Sequence, residues 1–253
     1  MLEIKNLTKI YKGTRRAVDN LSLNVEKGDI FAFIGHNGAG KSTTIKACVG
    51  IIDFNSGDIL IDGHSIKEDP LYCKSQIAYI PDNPDVYEYM TGIQYLNFIG
   101  DVFKVEINER LQLIDKYASL FEIKNNLGDL ISSYSHGMRQ KLVIIGALIH
   151  KPKLMIMDEP FVGLDPKASF IVKNLMREMC QQGMAIFFST HVLEVAEKLC
   201  NKVAIIKDGK LIISGKTEEV VGNESLENVF LDSVDSSAVS YQTVKADDSE
   251  GEE

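Results

Sequence analysis

The residues from Gly35 to Ser42 have the types and the spacing needed to hold a nucleotide phosphate. They fit the pattern G-x-x-x-x-G-K-S at every fixed position, directly after an apolar run that ends at Ile34. Glycines let backbone N–H groups close around a phosphate, and the start of the following helix adds a positive dipole. The motif therefore predicts that Lys41 contacts the β- and γ-phosphates of a nucleotide and that the Ser42 hydroxyl can bind Mg²⁺.

Two adjacent carboxylates, Asp158 and Glu159, follow the apolar run Leu154–Met157. Two acids after a strand are more often part of a solvated turn, so the pair by itself indicates little. Phosphoryl transfer, however, needs one carboxylate on the metal and another that orients the nucleophile. Beside a phosphate loop, the pair predicts that Asp158 joins the Mg²⁺ shell and that Glu159 polarises a water molecule for attack.

A third motif, Ser135-His136-Gly137-Met138-Arg139-Gln140, precedes an apolar segment that predicts a helix over Lys141–Ile149. Ser135 and Gly137 would then form a helix N-terminus able to receive phosphate, because that end of a helix is positively polarised. The pattern S-x-G-x-x-Q is weak by itself, since an ordinary helix N-cap looks the same. Its meaning depends on the other two motifs.

The elements that must position these motifs alternate between strand and helix. Apolar runs and alternating patterns predict strands over Val18–Val25, Ile30–Ile34, Leu154–Met157 and Ala185–Phe188, with hairpins around Asp62-Gly63 and Asp208-Gly209. Helices are predicted between and after the later strands. This layout indicates a parallel α/β core.

Between Thr91 and Phe121 the hydrophobic period becomes helical, which predicts a helical insert in that core. Thr91 and Gln94 form a capping box that begins one helix. Asn108 can cap a second helix. The predicted inner face of that second helix holds Leu111, Ile114, Ala118 and Phe121.

The composition is that of an ordinary globular protein, with 45% hydrophobic and 25% charged residues. Much of the formal charge of −9 comes from Asp247–Glu253, which contains five acids and no base, and no stripe of Lys or Arg favours a nucleic-acid partner. The longest apolar run, Leu142–Ile149, is too short to span a bilayer, and Met1–Lys5 resembles a strand more than a signal peptide. Any membrane role is therefore expected to come through a partner.

The four scattered cysteines predict buried free thiols in a reducing compartment.

Taken together, the three motifs resemble those of the ATP-binding cassette (ABC) ATPases, and the resemblance covers about residues 1–232. It implies an α/β fold, a P-loop NTPase (RecA-like) core with an antiparallel β-subdomain and a helical subdomain. The helical subdomain would occupy about residues 83–148, inserted in the α/β core. Residues 233–253 are polar and acidic, which predicts a disordered tail.

The resemblance also implies the site residues and their ligands, which are ATP and Mg²⁺. Glu159, His191 and Lys41 would be catalytic, with His191 sensing the γ-phosphate, and Tyr11 would stack on adenine. The Mg²⁺ contacts would be Ser42, Asp158 and Asp82. The other contacts to ATP would be Gly35, Asn37, Gly38, Gly40, Lys41, Ser42, Thr43, Ser135 and Gly137.

ABC ATPases work as head-to-tail pairs, so the resemblance implies two kinds of partner. One is a second ABC ATPase subunit, identical or different, so that each ATP lies between the Lys41 loop of one subunit and the Ser135/Gly137 helix end of the other. The second is a separate polytopic membrane subunit, the permease. The chain would then be peripheral, at the cytoplasmic face of the cell membrane, and ATP-driven closure of the pair would move the permease.

Three positions depart from the usual ABC pattern. Asp82 stands where the glutamine loop usually has Gln, His136 replaces the usual second residue of the signature, Gly, and Val162 replaces a small hydroxyl residue. These departures look like those of single-cassette ATPases from drug- and peptide-exporting or bacteriocin-immunity systems, which often carry S-H/K-G-M-K/R-Q. The resemblance therefore favours an exporter of a drug, peptide or lipid-like substrate.

Two other functions are compatible with parts of the sequence. One is a soluble ABC ATPase without a membrane partner, of the cluster-assembly type, which has a similar length. The other is a binding-only regulator with a degenerate site, which the presence of Lys41, Glu159 and His191 disfavours.

Tyr87 and Tyr89 precede the first helix of the insert and suit a groove for a partner's helix, because aromatic residues carry interface energy.

Overall fold

A computed structural model of the chain describes residues 1–13, 15–84 and 86–233. Apart from Ser233, the acidic tail predicted at 233–253 lies outside the described residues. Within the described residues, no helix combines the length and the apolar character that crossing a bilayer requires.

Strands and helices alternate along most of the chain. The strands are β1 (Leu2–Ile10), β2 (Arg16–Val25), β3 (Ile30–Ile34), β4 (Ser56–Ile61), β5 (His64–Ser65), β6 (Ile77–Ile80), β7 (Leu154–Asp158), β8 (Ala185–Thr190), β9 (Lys202–Lys207) and β10 (Lys210–Lys216). The helices are α1 (Lys41–Cys48), α2 (Pro70–Gln76), α3 (Gly92–Val102), α4 (Ile107–Leu120), α5 (His136–Ile149), α6 (Pro166–Gln181), α7 (Leu193–Leu199) and α8 (Thr217–Val221). Short 3₁₀ segments cover Lys124–Asn126 and Ile131–Ser133, and residues 226–233 are helical.

A four-stranded antiparallel sheet lies on one side of the molecule, with strand order β2-β1-β4-β5. The hairpin predicted around Asp62-Gly63 is confirmed, since it joins β4 to β5. Both turn residues have positive φ, 50° for Asp62 and 87° for Gly63. Such a turn matches the twist of paired strands, which is why an Asp-Gly dipeptide marks hairpins so well.

The central six-stranded sheet has the order β10-β9-β3-β8-β7-β6. The pairs along β9-β3-β8-β7-β6 are parallel, and β10 runs antiparallel to β9 through the predicted turn at Asp208-Gly209. Every residue of β3, β7 and β8 is buried, because α1 packs on one face of the sheet and α6 on the other. The predicted parallel α/β core is confirmed.

Parallel strands place their carboxyl ends at one edge of the sheet, where α/β proteins bind ligands. Here the adjacent strands β3, β8 and β7 end at that edge with Ile34, Thr190 and Asp158. In the register of the sheet, Ile34 pairs with Thr190 and Asp158 pairs with Ser189. The phosphate loop, the carboxylate pair and the segment that leads to His191 therefore begin side by side.

The chain between β6 and β7 is helical, as the change of period predicted. The capping box is confirmed at the start of α3, where Gln94 N donates to Thr91 Oγ1 at 3.3 Å and Thr91 N donates to Gln94 Oε1 at 2.9 Å. The helices α3, α4 and α5 pack on one another, and α5 also contacts β6. The insert is thus attached to the sheet next to the segment that contains Asp82.

Three details of the helical region differ from the sequence predictions. Glu106 and not Asn108 caps α4, because its carboxylate accepts from the N–H groups of residues 108 and 109, at 2.8 and 3.1 Å. Leu111 was expected inside but is 50% exposed. Arg110 is buried in its place, since its guanidinium pairs with Asp101 at 2.7 Å and donates to two backbone carbonyls. The helix predicted from Lys141 begins five residues earlier, at His136, because Ser135 caps it.

All four cysteines are free and buried, as predicted. Burial raises the pKa of the thiols of Cys48, Cys73 and Cys200, and it raises that of Cys180 to about 12. These thiols are therefore protonated at neutral pH, and a protonated thiol is a poor nucleophile.

Candidate active site

A cavity of about 510 Å³ opens at the carboxyl edge of the central sheet. Its lining joins the phosphate loop to residues at the end of β1, at the start of β2 and just after β6 and β7. The lining residues are Tyr11, Arg15, Ala17, His36, Asn37, Gly38, Gly40, Lys41, Ser42, Thr43, Asp82 and Glu159. The structure thus brings the adenine-stacking candidate, most of the phosphate loop, the residue of the glutamine loop and the candidate general base to one place.

Two glycines of the phosphate loop are required by close packing. A Cβ at Gly35 would lie 2.6 Å from the carbonyl oxygen of Ile206, and a Cβ at Gly40 would overlap the carbonyl oxygen of Ala17. Gly40 also has φ of 111°, a conformation that other residues rarely adopt. It caps α1 without a side-chain hydrogen bond, and no acid lies in the first turn. The positive end of α1 is therefore available to a phosphate from the cavity.

Lys41 is held in place by two partners within the site. Its Nζ donates to the carbonyl oxygen of Gly35 at 2.6 Å and lies 3.5 Å from Oε1 of Glu159. The side chain is only 7% exposed. A buried ammonium requires such partners, because an unpaired charge away from water is costly. The loop thus presents a fixed cation beside the candidate general base.

Glu159 connects Lys41 to His191. The second oxygen of its carboxylate, Oε2, accepts from Nδ1 of His191 at 2.9 Å. The backbone of Glu159 is in the left-handed region, with φ of 49°, which costs a residue with a side chain on the order of 1–3 kcal/mol. Such strain persists only where neighbouring contacts impose it, so the position of this carboxylate is specified by the fold.

Asp158 is 3% exposed and is hydrogen-bonded through Oδ1 to the hydroxyl of Ser189 at 2.5 Å. Asp82 lines the cavity near the same strand end. Burial, together with the charges of Asp158 and Asp82, raises the pKa of Tyr79 to about 12. Both carboxylates therefore lie close enough to Tyr79 to act on its hydroxyl group. We call Lys41, Asp158, Glu159, Ser189 and His191 the catalytic cluster.

The signature motif lies apart from this cavity. Ser135 caps α5, its Oγ accepting from Met138 N at 3.2 Å, and neither Ser135 nor Gly137 is among the described residues that line the cavity. The start of α5 instead packs against the segment after the carboxylate pair. A Cβ at Gly163 would lie 2.6 Å from Nε2 of His136, and Lys141 pairs with Asp165 at 2.8 Å. The signature is thus attached to the segment that begins with Glu159.

Several residues of the site were not among the sequence predictions. Arg15 and Ala17 line the cavity, and Nη2 of Arg15 lies 3.5 Å from the carbonyl oxygen of Gly38. Ser189 contacts both Asp158 and Glu159 through its hydroxyl group. No spacing rule marks these residues, since Arg15 and Ala17 lie around the start of β2 and Ser189 lies in β8, outside the three motifs. A basic residue close to Tyr11 is the only signal that could have indicated Arg15.

A second concave surface lies where α3 and α5 meet the sheet. It encloses about 250 Å³ and is lined mainly by apolar and aromatic side chains, including those of Tyr79, Tyr95 and Phe103. Beside it, the Tyr87 ring contacts those of Tyr89 and Phe98, with centroids 5.8 and 5.6 Å apart. These last three side chains, which we call the aromatic patch, are 46%, 74% and 37% exposed. Tyr87 and Tyr89 thus lie beside the groove and do not line it.

A family model described as "ABC transporter" matches residues 18–162, which is more than half of the chain. An uncharacterised ABC transporter ATP-binding protein of Bacillus subtilis, YhcH, is 37% identical over 213 residues, covering 84% of this chain and 68% of that protein. The Nod factor export ATP-binding protein I of Cupriavidus metallidurans is 31% identical over 224 residues, covering 88% and 74%.

A solved structure described as the ATP binding subunit of an ABC transporter has the same fold. It superposes with a TM-score of 0.88 at 31% sequence identity, and the match covers 92% of this chain and 99% of that one. The agreement therefore extends over both sheets and the helical insert.

Proposed function

The protein belongs to the ABC transporter family as one of its ATP-binding ATPase subunits, and on that premise we propose that it drives the export of a drug, a peptide or a lipid-like molecule. The transported molecule crosses the membrane through a separate polytopic subunit. ATP closes a pair of ATPase subunits, and loss of the γ-phosphate reopens them. This movement is passed to the membrane subunit.

The observation that carries the ATP-driven part of the proposal is the connected set Lys41, Glu159 and His191 beside the nucleotide cavity. Lys41 binds the β- and γ-phosphates of ATP in exchange for part of its contact with Glu159. Glu159 orients the attacking water. Because His191 donates from Nδ1 to Glu159, its Nε2 is left to contact the γ-phosphate.

The residues near the phosphate loop fit Mg²⁺. Asp82 and the exposed hydroxyl of Ser42 line the cavity, and Asp158 has one carboxylate oxygen on Ser189 and a second available. These are oxygen donors, which Mg²⁺ prefers. When bound, Mg²⁺ neutralises charge on the phosphates. We assign the metal contacts to Ser42, Asp158 and Asp82.

The remaining ATP contacts follow from the lining of the cavity, apart from Gly35, which does not line it. Tyr11 is 46% exposed and offers a ring face for adenine. The phosphates are held by Gly35, Asn37, Gly38, Gly40, Lys41, Ser42 and Thr43. Gly35 itself contributes by orienting Lys41 through its carbonyl oxygen.

The location of the signature supports a working pair of ATPase subunits. Ser135 and Gly137 lie at the N-terminus of α5, a helix end suited to phosphate, yet they do not line the chain's own cavity. They bind the ATP held by the Lys41 loop of a second ABC ATPase subunit, identical or different. Each chain therefore carries two half-sites.

The groove and the aromatic patch support a permease partner. Exposed aromatic rings beside an apolar groove are suited to a helix from another protein. In this arrangement the chain is peripheral, at the cytoplasmic face of the cell membrane. We assign residues 1–232 to one ABC domain in which about residues 83–148 form the helical subdomain that meets the permease.

Two features support export over import. One is the signature Ser135-His136-Gly137-Met138-Arg139-Gln140, which resembles that of single-cassette exporters. The other is the similarity to an ATP-binding protein that is named for Nod factor export. Inverted membrane vesicles that contain the intact complex should therefore accumulate the substrate when ATP is added outside. ATP-driven accumulation in right-side-out vesicles loaded with ATP would contradict export.

The first test is to purify the tagged chain from membranes in mild detergent with Mg-ATP and to identify what accompanies it. A polytopic membrane protein in stoichiometric amount is the expected result. A chain that hydrolyses ATP but carries no membrane protein would instead indicate a soluble ABC ATPase of the cluster-assembly type. A purified chain that carries no membrane protein and does not hydrolyse ATP would indicate a binding-only regulator.

A further inference from the structure

Ser189 lies at the centre of the catalytic cluster but belongs to none of the three motifs. It is the fifth residue of β8, with Phe33 of β3 on one side and Asp158 of β7 on the other. Its exposure is 0%, so no solvent reaches the side chain. A hydroxyl in such a position must find protein partners, because a buried polar group without them is costly.

The Ser189 hydroxyl contacts both members of the carboxylate pair. Its Oγ–H donates to Oδ1 of Asp158 at 2.5 Å, and its Oγ accepts from the backbone N–H of Glu159 at 3.0 Å. One oxygen atom therefore connects the candidate metal ligand and the candidate general base across 31 residues of sequence. An alanine would fill the space but would leave both groups without this partner.

The first bond restricts how Asp158 can present its carboxylate. Because Oδ1 accepts from Ser189, rotation of the carboxylate is opposed and Oδ2 remains available. The second bond acts on the backbone of Glu159, which has φ of 49° and would not adopt that conformation without support. That backbone conformation is what allows the side chain to reach both Lys41 and His191.

We propose that Ser189 is a positioning residue for ATP hydrolysis, whose hydroxyl sets the metal-binding carboxylate of Asp158 and the water-orienting carboxylate of Glu159 as one unit. The inference rests on the proposed roles of those two residues. A purely structural serine would stabilise the fold equally well with any buried partner. Ser189 instead makes both of its hydrogen bonds to Asp158 and Glu159, the two residues that must be placed relative to each other.

The test compares Ser189→Ala and Ser189→Cys with a matched control, Ser65→Ala. Ser65 also donates its hydroxyl to an aspartate, Asp58 at 2.8 Å, but in the small sheet and away from the lining of the nucleotide cavity. The full chain is used, with its membrane partner if one co-purifies. Two experiments are done on each variant. The first measures kcat and KM for ATP hydrolysis. The second measures the rise in unfolding temperature on adding ATP with Mg²⁺ or with EDTA.

We expect Ser189→Ala to lower kcat by about 10- to 100-fold with little change in KM, because misplaced groups slow chemistry more than they weaken binding. The Mg²⁺-dependent part of the rise in unfolding temperature should shrink, while the part given by ATP with EDTA persists. For Ser189→Cys, kcat and the Mg²⁺-dependent rise in unfolding temperature should lie between the values for serine and for alanine. The reason is that a thiol is a weak hydrogen-bond donor of similar size. Ser65→Ala should keep the kcat and the Mg²⁺ response of the unsubstituted chain.

Wild-type values of kcat and of the Mg²⁺ response in Ser189→Ala would overturn the inference, and so would equal losses in Ser65→Ala. If Ser189→Ala does not fold, the result for Ser189→Cys decides in the same way. Failure of the proposed function is distinguishable, because it appears as an unsubstituted chain that does not hydrolyse ATP. The Mg²⁺ response requires no hydrolysis and tests the positioning of Asp158 in either case.

Discussion

In the catalytic cluster three of the five polar side chains are buried and hydrogen-bonded, whereas in the aromatic patch aromatic rings are exposed. Lys41, Asp158 and Ser189 are 6%, 3% and 0% exposed, and each has a bonded partner within the site. The rings of the patch touch one another, and Tyr89 is 74% exposed. Both regions thus reverse the usual preference that places apolar groups inside and polar groups outside.

The two reversals have different physical consequences. Buried polar groups are stable only in the geometry that satisfies their hydrogen bonds, so the cluster holds reacting groups in place. Covering exposed rings with another molecule lowers the free energy of the system. Until they are covered, these rings contribute little to the stability of the fold. Changes in the cluster should therefore alter the rate of hydrolysis, and changes in the patch should alter association with a partner.

The largest effect is expected from Glu159→Gln, which removes the charge of the candidate base but keeps its size. Hydrolysis should fall by about 10²- to 10⁴-fold, which is the range for loss of general-base assistance. ATP binding should persist, because Lys41 is then released from its ion pair with Glu159. Phosphate release and equilibrium binding of ATP measure the two parts. The control is Glu178→Gln, an exposed acid on α6; a rate equal to that of this control would contradict the assignment.

The double substitution Tyr87→Ala, Tyr89→Ala tests the other half of the comparison. It should weaken association with the membrane subunit by about 2 kcal/mol or more, roughly 30-fold in Kd, since exposed aromatic residues are frequent hot spots. ATP binding and the unfolding temperature of the chain should not change. Co-purification at graded concentrations measures the loss. Leu71→Ala, which changes an apolar residue that is 83% exposed on α2, should leave association intact.

A smaller effect is expected where the signature meets the segment after Glu159. Gly163→Ala places a Cβ against the ring of His136 at a φ of 79°. Gly183→Ala is a matched control, because its φ is 95° but nothing lies within 4 Å of the new Cβ. The free energy of unfolding should fall by about 1 kcal/mol more for Gly163→Ala than for Gly183→Ala, the lower end of the overpacking range, because the exposed ring of His136 can turn aside. Urea denaturation measures the difference, and adding His136→Gly should remove most of it.

The smallest effect is expected at the edge of the cavity, where side chains are exposed. Arg15→Ala should raise KM for ATP by at most about fivefold, because an exposed ion pair contributes up to about 1 kcal/mol. The value of kcat should not change. Arg16→Ala is the control, since Arg16 pairs with Asp19 at 2.7 Å and does not line the cavity. Equal values of KM in the two variants would remove Arg15 from the nucleotide site.

Much of the fold could be predicted because buried parallel strands have continuous apolar sequences. The prediction of Ile30–Ile34 agrees with β3 residue by residue, and Leu154–Met157 differs from β7 only by Asp158. Predictions from a few neighbouring residues were also confirmed where those residues bond only to one another, as in the capping box of Thr91 and Gln94. The helix starts near residues 108 and 136 were less accurate, because several polar residues compete there for the same backbone N–H groups.

The candidate site was predictable to the extent that its residues form contiguous motifs. The phosphate loop and the carboxylate pair each form a continuous segment, so their residue types and spacing indicated their chemistry. Ser189 lies in β8 and Arg15 immediately before β2, so only the folded arrangement of the chain reveals their contacts. Leu111 was placed inside for a related reason, since hydrophobic period alone could not show that the paired guanidinium of Arg110 is buried instead.

The four buried cysteines make the chain convenient for site-specific labelling. Because burial keeps their thiols protonated, a maleimide reagent should leave Cys48, Cys73, Cys180 and Cys200 unmodified in the folded protein. A single new cysteine at an exposed position of the insert outside the aromatic patch, such as Leu111→Cys on α4, would then carry one fluorophore without removal of the native residues. The proposed contact between the helical insert and a membrane subunit could be followed during turnover from the signal of that one probe.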